Sequence, residues 1–288
     1  MAKLLNCGIF GGLLQAGVFN PWDRALYLSV SNKRPFLLRE NFANPMAGVL
    51  QTITQRAISA GLYFPLEEIF TEMLDDLVKS HETGGGAGSS RDADVRRSTR
   101  FVAGLLAGSS NGLLLNPFSS VKFYYWGKAQ CGHESFIQSA VEMYRKGGFR
   151  PFFVGSAATI HRDLIFGGFY ALVRHEQALL LRWSGGEAKP SKMRDFGVNV
   201  LAASVATVLS SPLNYVRVVH YATPPDIKPV GALEILRDLL RSAERRPSTY
   251  ERLSYIQTRL RIGWGTARVG FGMGFSSTLY GICSKNYG

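Results

Sequence analysis

Residues 101–121 read FVAGLLAGSSNGLLLNPFSSV, a stretch of 21 residues without a charged side chain. Residues 4–22 and 196–216 form two further uncharged runs, 19 and 21 residues long. An α-helix rises about 1.5 Å per residue, so each run is long enough to cross a hydrocarbon layer roughly 30 Å thick. Soluble helices of this length normally carry a charged face. The three runs therefore predict membrane-spanning helices, although the mean hydropathy of the chain is near zero.

The three runs recur at a nearly fixed interval. They start at positions 4, 101 and 196, and the prolines near their ends, Pro21, Pro117 and Pro212, are 96 and 95 residues apart. Such a period suits a pair of transmembrane helices with a connection, used three times. The sequence predicts an all-α membrane protein with six transmembrane helices in a pseudo-three-fold bundle. The predicted units are repeat 1 (1–80), a Gly-rich linker (81–100), repeat 2 (101–182), a linker (183–195) and repeat 3 (196–288).

Within each repeat, we expect a second, less apolar helix and a connection that lies on the membrane surface. The second helices are placed near residues 45–77, 156–181 and 262–284, and amphipathic surface helices at 136–145 and 233–241. The three prolines remove backbone donors and are expected to kink their helices at equivalent depths. Glycines at four-residue spacing, such as Gly104, Gly108 and Gly112, allow close helix packing in lipid.

Composition excludes several classes of function. The formal net charge is +12, but no Lys/Arg tract with interleaved aromatics points to nucleic acid. The three cysteines, Cys7, Cys131 and Cys283, lie too far apart in sequence for a metal motif or a disulfide framework. No catalytic triad, phosphate loop or metal cluster is visible. We therefore expect no enzyme activity, no cofactor, no metal and no nucleic-acid partner.

Ionisable residues interrupt the second helices, and at membrane depth such residues normally face a bundle interior or a watery cavity. These candidate cavity residues are Arg56, Arg162, Asp163 and Arg268, with Gln55 beside the first. A guanidinium matches a carboxylate or phosphate on a substrate. The alternative is structural, with Arg162 and Asp163 forming a buried ion pair.

At this point the chain resembles the mitochondrial carrier family, which has three repeats of about a hundred residues. The clearest matches are Asn116-Pro117-Phe118-Ser119-Ser120-Val121-Lys122, Ser211-Pro212-Leu213-Asn214-Tyr215-Val216-Arg217 and Gly147-Gly148-Phe149-Arg150-Pro151-Phe152-Phe153-Val154-Gly155. The resemblance implies a multi-pass protein of the inner mitochondrial membrane. It also implies structural cardiolipin, with Phe153 and Gly155 as candidate contacts near a helix N-terminus.

In the resembled family, an acid two residues after each proline pairs with a base from the next repeat, and three such pairs close the matrix side. Here the acid positions hold Asp23, Ser119 and Asn214, and the base positions hold Leu26, Lys122 and Arg217. The resemblance therefore implies a matrix-side gate of Asp23, Lys122 and Arg217. In this gate only Asp23 and Lys122 can form an ion pair.

The opposite gate of the resembled family is eroded in the same way. Glu68 and Arg174 are its one remaining pair, and the register of the helix that carries Arg174 is open by one turn. The first repeat is also short, with 45 residues from Asp23 to Glu68 against 67 from Asn214 to Gly281. The missing residues amount to roughly one surface helix.

Two functions remain open. Because two ion pairs are lost on each side, our main expectation is a carrier-fold protein that is transport-impaired and acts as an accessory subunit of a large inner-membrane respiratory complex. The alternative is a functional carrier that exchanges a small anionic metabolite. Membrane lipids, cardiolipin among them, are expected partners in both cases, and neighbouring inner-membrane subunits in the first.

Overall fold

A computed structural model describes residues 2–81, 89–128, 135–183 and 192–287, and these residues form helices and their connections with no β-strand. The helices, numbered in chain order, are α1 Ala2–Ser31, α2 Val49–His81, α3 Ser89–Leu114, α4 Asn116–Gly127, α5 Phe136–Gly147, α6 Arg150–Phe153, α7 Ser156–Trp183, α8 Lys192–Ala222, α9 Ala232–Glu244, α10 Thr249–Arg259 and α11 Trp264–Tyr287. The fold is all-α, as predicted.

The long helices close into a ring. In chain order α1 packs on α2, α2 on α3, α3 on α7, α7 on α8 and α8 on α11, and α11 returns to pack on α1. Helix α4 continues the line of α3 after a break at Leu115 and reaches α1, α2 and α8. The shorter helices α5, α6, α9 and α10 connect the members of the ring.

One helical stretch within the described residues, Phe196–Ala222, is both long and apolar enough to cross a membrane by itself. The run at 101–121 does not form one continuous helix, because α3 ends at Leu114 and α4 begins at Asn116. Parts of the two predicted linkers are helical: residues 89–100 belong to α3, Trp183 to α7 and residues 192–195 to α8. The Gly-rich residues 82–88, and residues 184–191 of the second linker, lie outside the described part.

The three prolines occupy two kinds of position. Pro21 and Pro212 lie inside the helices α1 and α8, whereas Pro117 lies in the first turn of α4. Proline is favourable in a first turn, where its missing N–H has no helical acceptor. We call the end of the ring that follows these prolines the proline end.

A polar clasp at the proline end recurs in the first two repeats. Asn20 donates to the carbonyls of Pro45 and Ala47 at 3.1 and 3.2 Å. Asn116 donates to the carbonyls of Phe152 and Val154 at 2.9 and 3.2 Å. Each asparagine directly precedes its proline. Asn20 ties α1 to the segment that leads into α2, and Asn116 ties α4 to the segment that leads into α7. In the third repeat Ser211 takes this place and donates only within its own helix, to Val208 O at 2.7 Å.

A left-handed glycine precedes the second long helix of every repeat. Gly48, Gly155 and Gly263 have φ values of +75°, +82° and +106°. Only glycine adopts this conformation without steric cost. The shared turn indicates that the three units reverse direction in the same way.

The surface connections differ between repeats. Helices α5 and α9 confirm the predicted surface helices in the second and third repeats, and Ser135 and Gln138 form a capping box at the start of α5. The first repeat has only a 3-10 turn, Arg39–Phe42, in that place. The third repeat adds α10, which the sequence pattern did not predict.

An aromatic clamp fills the space at the short first connection. We define it as Trp22, Phe36, Phe42 and Trp264. Phe36 stacks on Trp264 with ring centroids 5.2 Å apart and meets Phe42 at 5.4 Å and Trp22 at 6.4 Å. Arg259, the last residue of α10, also donates to Lys33 O at 3.0 Å. Residues of the third repeat therefore pack against the short first connection, which has no surface helix of its own.

Candidate functional site

An ion pair between the first and last helices marks the candidate site. Asp23 on α1 accepts a hydrogen bond from Arg268 on α11. The Arg268 residue is 6% exposed, and its guanidinium lies 5.0 Å from the ring centroid of Phe19. The sequence predicted that Arg268 faces the cavity. In the structure the Arg268 side chain is buried, and its guanidinium is paired with the Asp23 carboxylate.

Lys122 has a different partner from the one expected. Its ammonium donates to Gln55 Oε1 on α2 at 2.8 Å, and Gln55 Nε2 donates to Ser119 Oγ at 2.6 Å. The carboxylate of Asp23 binds Arg268. Asp23 and Lys122 form no direct ion pair in the described structure. A neutral amide thus bridges the former acid and base positions of the second repeat. The gate role of Asp23, Lys122 and Arg217 stays a prediction.

Three further charged side chains lie near the Asp23–Arg268 ion pair. Arg162 and Asp163, which are adjacent on α7, form an ion pair with side chains 28% and 21% exposed. Arg56 on α2 is accessible to solvent although it lies deep among the charged groups of the ring, with Asp23, Arg268, Arg162 and Asp163 as electrostatic neighbours. Arg56 makes no hydrogen bond or ion pair within the described residues. It is therefore a cation open to an incoming anion.

A cluster of aromatic side chains, which we call the aromatic plug, lies at the proline end. We define the plug as Tyr27 on α1, Phe123 and Trp126 on α4, and Tyr221 on α8. The Phe123 ring lies 4.8 Å from Tyr27, 4.8 Å from Tyr221 and 5.3 Å from Trp126. Aromatic pairs of this geometry contribute about 0.5–1.5 kcal/mol each beyond burial. The plug joins all three repeats at the level where the resembled family uses ion pairs.

Sequence reasoning missed the plug, although a signal was present. Tyr27 and Phe123 follow the base positions Leu26 and Lys122 by one residue, and Tyr221 follows Arg217 by one helical turn. The sequence comparison concentrated on the charged motif positions, so the aromatic residues next to them were not considered. Lys122 contributes to the same region, since its ammonium lies 5.2 Å from the Phe123 ring and 5.0 Å from the Trp126 ring.

The remaining predicted residues are distributed around this centre. Arg217 donates to Asn214 of its own helix at 3.0 Å and lies 5.8 Å from the Tyr221 ring. Glu68 is exposed on α2, and the side chain of its expected partner Arg174 lies outside the described part. Phe153 is exposed at the end of α6, and Gly155 directly precedes α7. Cardiolipin binding there stays a prediction.

No group of three or more His, Cys, Asp or Glu side chains within the described ranges is arranged to hold a metal ion. The side chains of the candidate site carry guanidinium, ammonium, carboxylate and amide groups. Such groups recognise a solute by charge and hydrogen bonding.

Comparison with known proteins gives one family match and several similar proteins. Residues 95–180 match the family described as mitochondrial carrier protein. A mitochondrial glycine transporter of Eremothecium gossypii is 26% identical over 286 residues, covering 91% of this chain and 93% of the relative. The chain is thus similar to the mitochondrial carrier family in its second repeat and to a member-length relative over most of its length. Mitochondrial glycine transporters of Yarrowia lipolytica (24% identity, 58% of this chain and 56% of the relative) and Xenopus tropicalis (25% identity, 75% and 71%) are also similar to this chain.

The ring of long helices and its repetition fit the resemblance to this family. Two of the three acid positions in this chain are neutral, Asp23 pairs with Arg268 of α11, and aromatic rings lie beside the base positions.

Proposed function

We propose that this chain is a working solute carrier of the inner mitochondrial membrane and that its substrate is a small zwitterionic amino acid such as glycine. The relatives named mitochondrial glycine transporters support this alternative over the main expectation of an impaired accessory subunit. They carry no support for a place in a respiratory complex. The lost ring pairs led to that expectation, and other contacts now fill their places.

The observation that carries the proposal is the mixed charge of the candidate site. Arg56 offers an open guanidinium, and Arg162 beside Asp163 offers a guanidinium and a carboxylate on one helix. An α-amino acid presents a carboxylate and an ammonium a short distance apart. A purely anionic metabolite would find carboxylates in the same cavity, and like charges at close range are unfavourable. Both kinds of charge are present, so the site can hold the carboxylate and the ammonium of a zwitterion, and the names of the relatives favour this solute over the anion expected from the sequence.

Other contacts between repeats stand where the family's ion pairs are lost. A carrier needs closures that form and break at modest free-energy cost. Lys122 with Gln55 and Ser119, Asp23 with Arg268, and the aromatic plug are closures of this kind. Each joins helices of different repeats, as the ion pairs of the resembled family do.

The test is exchange by the purified chain in liposomes. Vesicles loaded with glycine should take up labelled external glycine with saturation, and Arg56→Gln should reduce that uptake by about tenfold or more. Arg241→Gln is the matched control, because Arg241 is an exposed arginine on the surface helix α9. A wild-type chain that exchanges neither glycine nor other small amino acids, and that purifies only within a large assembly, would restore the accessory-subunit interpretation.

A further inference from the structure

The loop between α9 and α10 carries an exposed hydroxyl behind two arginines. It reads Arg245-Arg246-Pro247-Ser248 and joins the end of α9 at Glu244 to the start of α10 at Thr249. All four loop residues are exposed. Ser248 has an extended backbone, with φ −108° and ψ 147°. Its hydroxyl therefore lies at the surface, at the end of a short stretch of chain that is not helical.

The same spacing of two arginines, any residue and a hydroxyl occurs at one other place in the sequence, Arg96-Arg97-Ser98-Thr99. Thr99 lies inside the helix α3 and is 7% exposed. An enzyme that modifies a side chain has to surround the segment that carries it, which an exposed loop permits and a buried helical residue does not. Of the two places, the loop at Ser248 is therefore the one that such an enzyme can reach.

The two arginines give the loop a charge pattern that an enzyme can recognise. Neither the Arg245 nor the Arg246 guanidinium forms an ion pair within the described residues. A free guanidinium offers a planar fork of donors that matches a carboxylate in a partner's groove. Protein kinases select substrates by charge patterns of this kind. The loop thus presents both the acceptor hydroxyl and the basic residues by which a kinase would recognise it.

We propose that Ser248 is a phosphorylation site for a protein kinase that selects arginines two and three residues before its acceptor. Ser248 Oγ attacks the γ-phosphorus of ATP, and the new O–P bond forms as the bond to the leaving ADP breaks. The hydroxyl proton passes to a base of the kinase. The proposal concerns a surface outside the candidate site and does not depend on which solute the chain moves.

The surroundings of Ser248 favour the added charge. The phosphate would lie where α10 begins, and a helix N-terminus stabilises negative charge. Arg252 is close to the loop, because its Nε donates to Arg246 O at 3.0 Å. A phosphate near arginines gains charge-assisted hydrogen bonds. Glu244 and Glu251 oppose it, but the arginines of the loop and of α10 outnumber these two carboxylates.

Helix α10 carries the effect of the phosphate to the first repeat. Arg259, at its end, donates to Lys33 O at 3.0 Å. The Tyr255 ring lies between two guanidiniums, 5.1 Å from that of Arg246 and 5.2 Å from that of Arg259. A phosphate that fixes the start of α10 therefore also strengthens the packing of the third repeat against the short first connection.

Labelling of the purified chain tests the site. The probe is a Ser/Thr kinase with this arginine preference, supplied with γ-labelled ATP, and the wild type should take up about one phosphate per chain. Ser248→Ala should take up none, whereas Thr249→Ala, at the neighbouring exposed hydroxyl, should be labelled like the wild type. Arg246→Gln should lower kcat/KM for labelling by about tenfold or more, because a charge-assisted contact is lost. Arg237→Gln, at an exposed position of α9, should leave it unchanged.

The unfolding temperature tests the effect on α10. The phosphorylated chain should unfold in detergent at a higher temperature than the unmodified chain. Ser248→Glu should reproduce part of this rise, and Ser248→Gln, which has the same size without the charge, should not. These measurements need no transport, so their outcome is separate from that of the proposed function.

Two results would overturn the proposal. One is a wild-type chain that stays unlabelled while the same kinase labels a peptide with the loop sequence, or a Ser248→Ala variant that keeps the label. The other is an equal unfolding temperature with and without the phosphate, which would show that the modification does not act through α10.

Discussion

Asn116 is the residue on which the clasp of the second repeat depends. It is fully buried, donates to the carbonyls of Phe152 and Val154, and accepts a hydrogen bond from the Tyr221 hydroxyl at 2.7 Å. Because Tyr221 belongs to the aromatic plug, the same amide links the clasp to the closure. A buried polar group that loses its partner costs about 1–3 kcal/mol.

Replacement of Asn116 by alanine should therefore lower the stability of the folded carrier by about 2–4 kcal/mol, since several buried groups lose their partner together. The midpoint of thermal unfolding in detergent measures the loss. Ser211→Ala is the control, because Ser211 occupies the same place in the third repeat but bonds only within α8. Equal losses in the two variants would contradict the role assigned to the clasp.

A carboxylate on α5, Glu142, links this helix to α4 beside the packed rings of Phe118 and Phe136. Glu142 accepts hydrogen bonds from the Tyr124 hydroxyl at 2.8 Å and the Lys146 ammonium at 2.7 Å, and it also binds Lys128. The hydrogen bonds from Lys128, Lys146 and Tyr124 lower the pKa of Glu142 from 4.5 to about 2. The folded state therefore holds this carboxylate in its charged form.

The lowered pKa fixes the direction of a pH effect. A carboxyl group whose pKa is lower in the folded state stabilises the fold above its unfolded pKa, and this contribution disappears as the pH falls through the folded pKa. The stability difference between the wild type and Glu142→Gln should thus be constant above about pH 4.5 and vanish toward about pH 2. Unfolding midpoints across that range measure it, and Glu244→Gln on α9 serves as control. A difference that grows on acidification would refute the assignment.

The sequence predicted elements best where the signal is local. Helices α5 and α9 follow from amphipathic periodicity, and the three apolar runs located α1, α3 with α4, and α8. Helix α10 was missed because its residues are mostly polar and exposed. The break at Leu115 was missed because an apolar run does not show whether a proline lies inside one continuous helix or begins a new one. Pro21 lies inside α1, whereas Pro117 lies in the first turn of α4.

The site was predicted less well, for a physical reason. The candidate cavity residues were singled out as ionisable groups in apolar surroundings, and their cavity role stays a prediction. The partners of several of these groups depend on distant helices. Asp23 meets Arg268 across 245 residues, and Lys122 meets Gln55 across 67. The motif of the resembled family suggested Lys122 as the partner of Asp23. In the structure Arg268 binds that carboxylate, and Lys122 donates to Gln55.

At the scale of the whole molecule, the first repeat depends on the third. The aromatic clamp replaces a missing surface helix, and Phe36 makes three of its ring contacts. Phe36→Ala should lower stability by about 2 kcal/mol through loss of these aromatic pairs. Leu37→Ala, at the neighbouring and 67% exposed position, should change it by less than about 0.5 kcal/mol. Thermal unfolding compares the two, and a larger loss for Leu37→Ala would refute the clamp.

The aromatic plug closes one end of the ring without the usual charges. Phe123→Ala removes the ring that contacts Tyr27, Tyr221 and Trp126, so we expect leakage from loaded liposomes in the absence of external substrate. Efflux of labelled glycine measures this loss of coupling. Leu201→Ala, at a half-exposed apolar position of α8, is the control and should remain tight. A Phe123→Ala variant with wild-type coupling would show that another contact closes the ring.

An uncharged plug also bears on the electrical side of transport. The inner mitochondrial membrane sustains a voltage, and each elementary charge moved through 100 mV changes the free energy by about 2.3 kcal/mol. Separation of Tyr27, Phe123 and Tyr221 displaces no formal charge, and a zwitterionic cargo carries no net charge. In the proposed carrier, the effect of this voltage on opening therefore falls on the charged closures, Lys122 with Gln55 and Asp23 with Arg268, and not on the three rings.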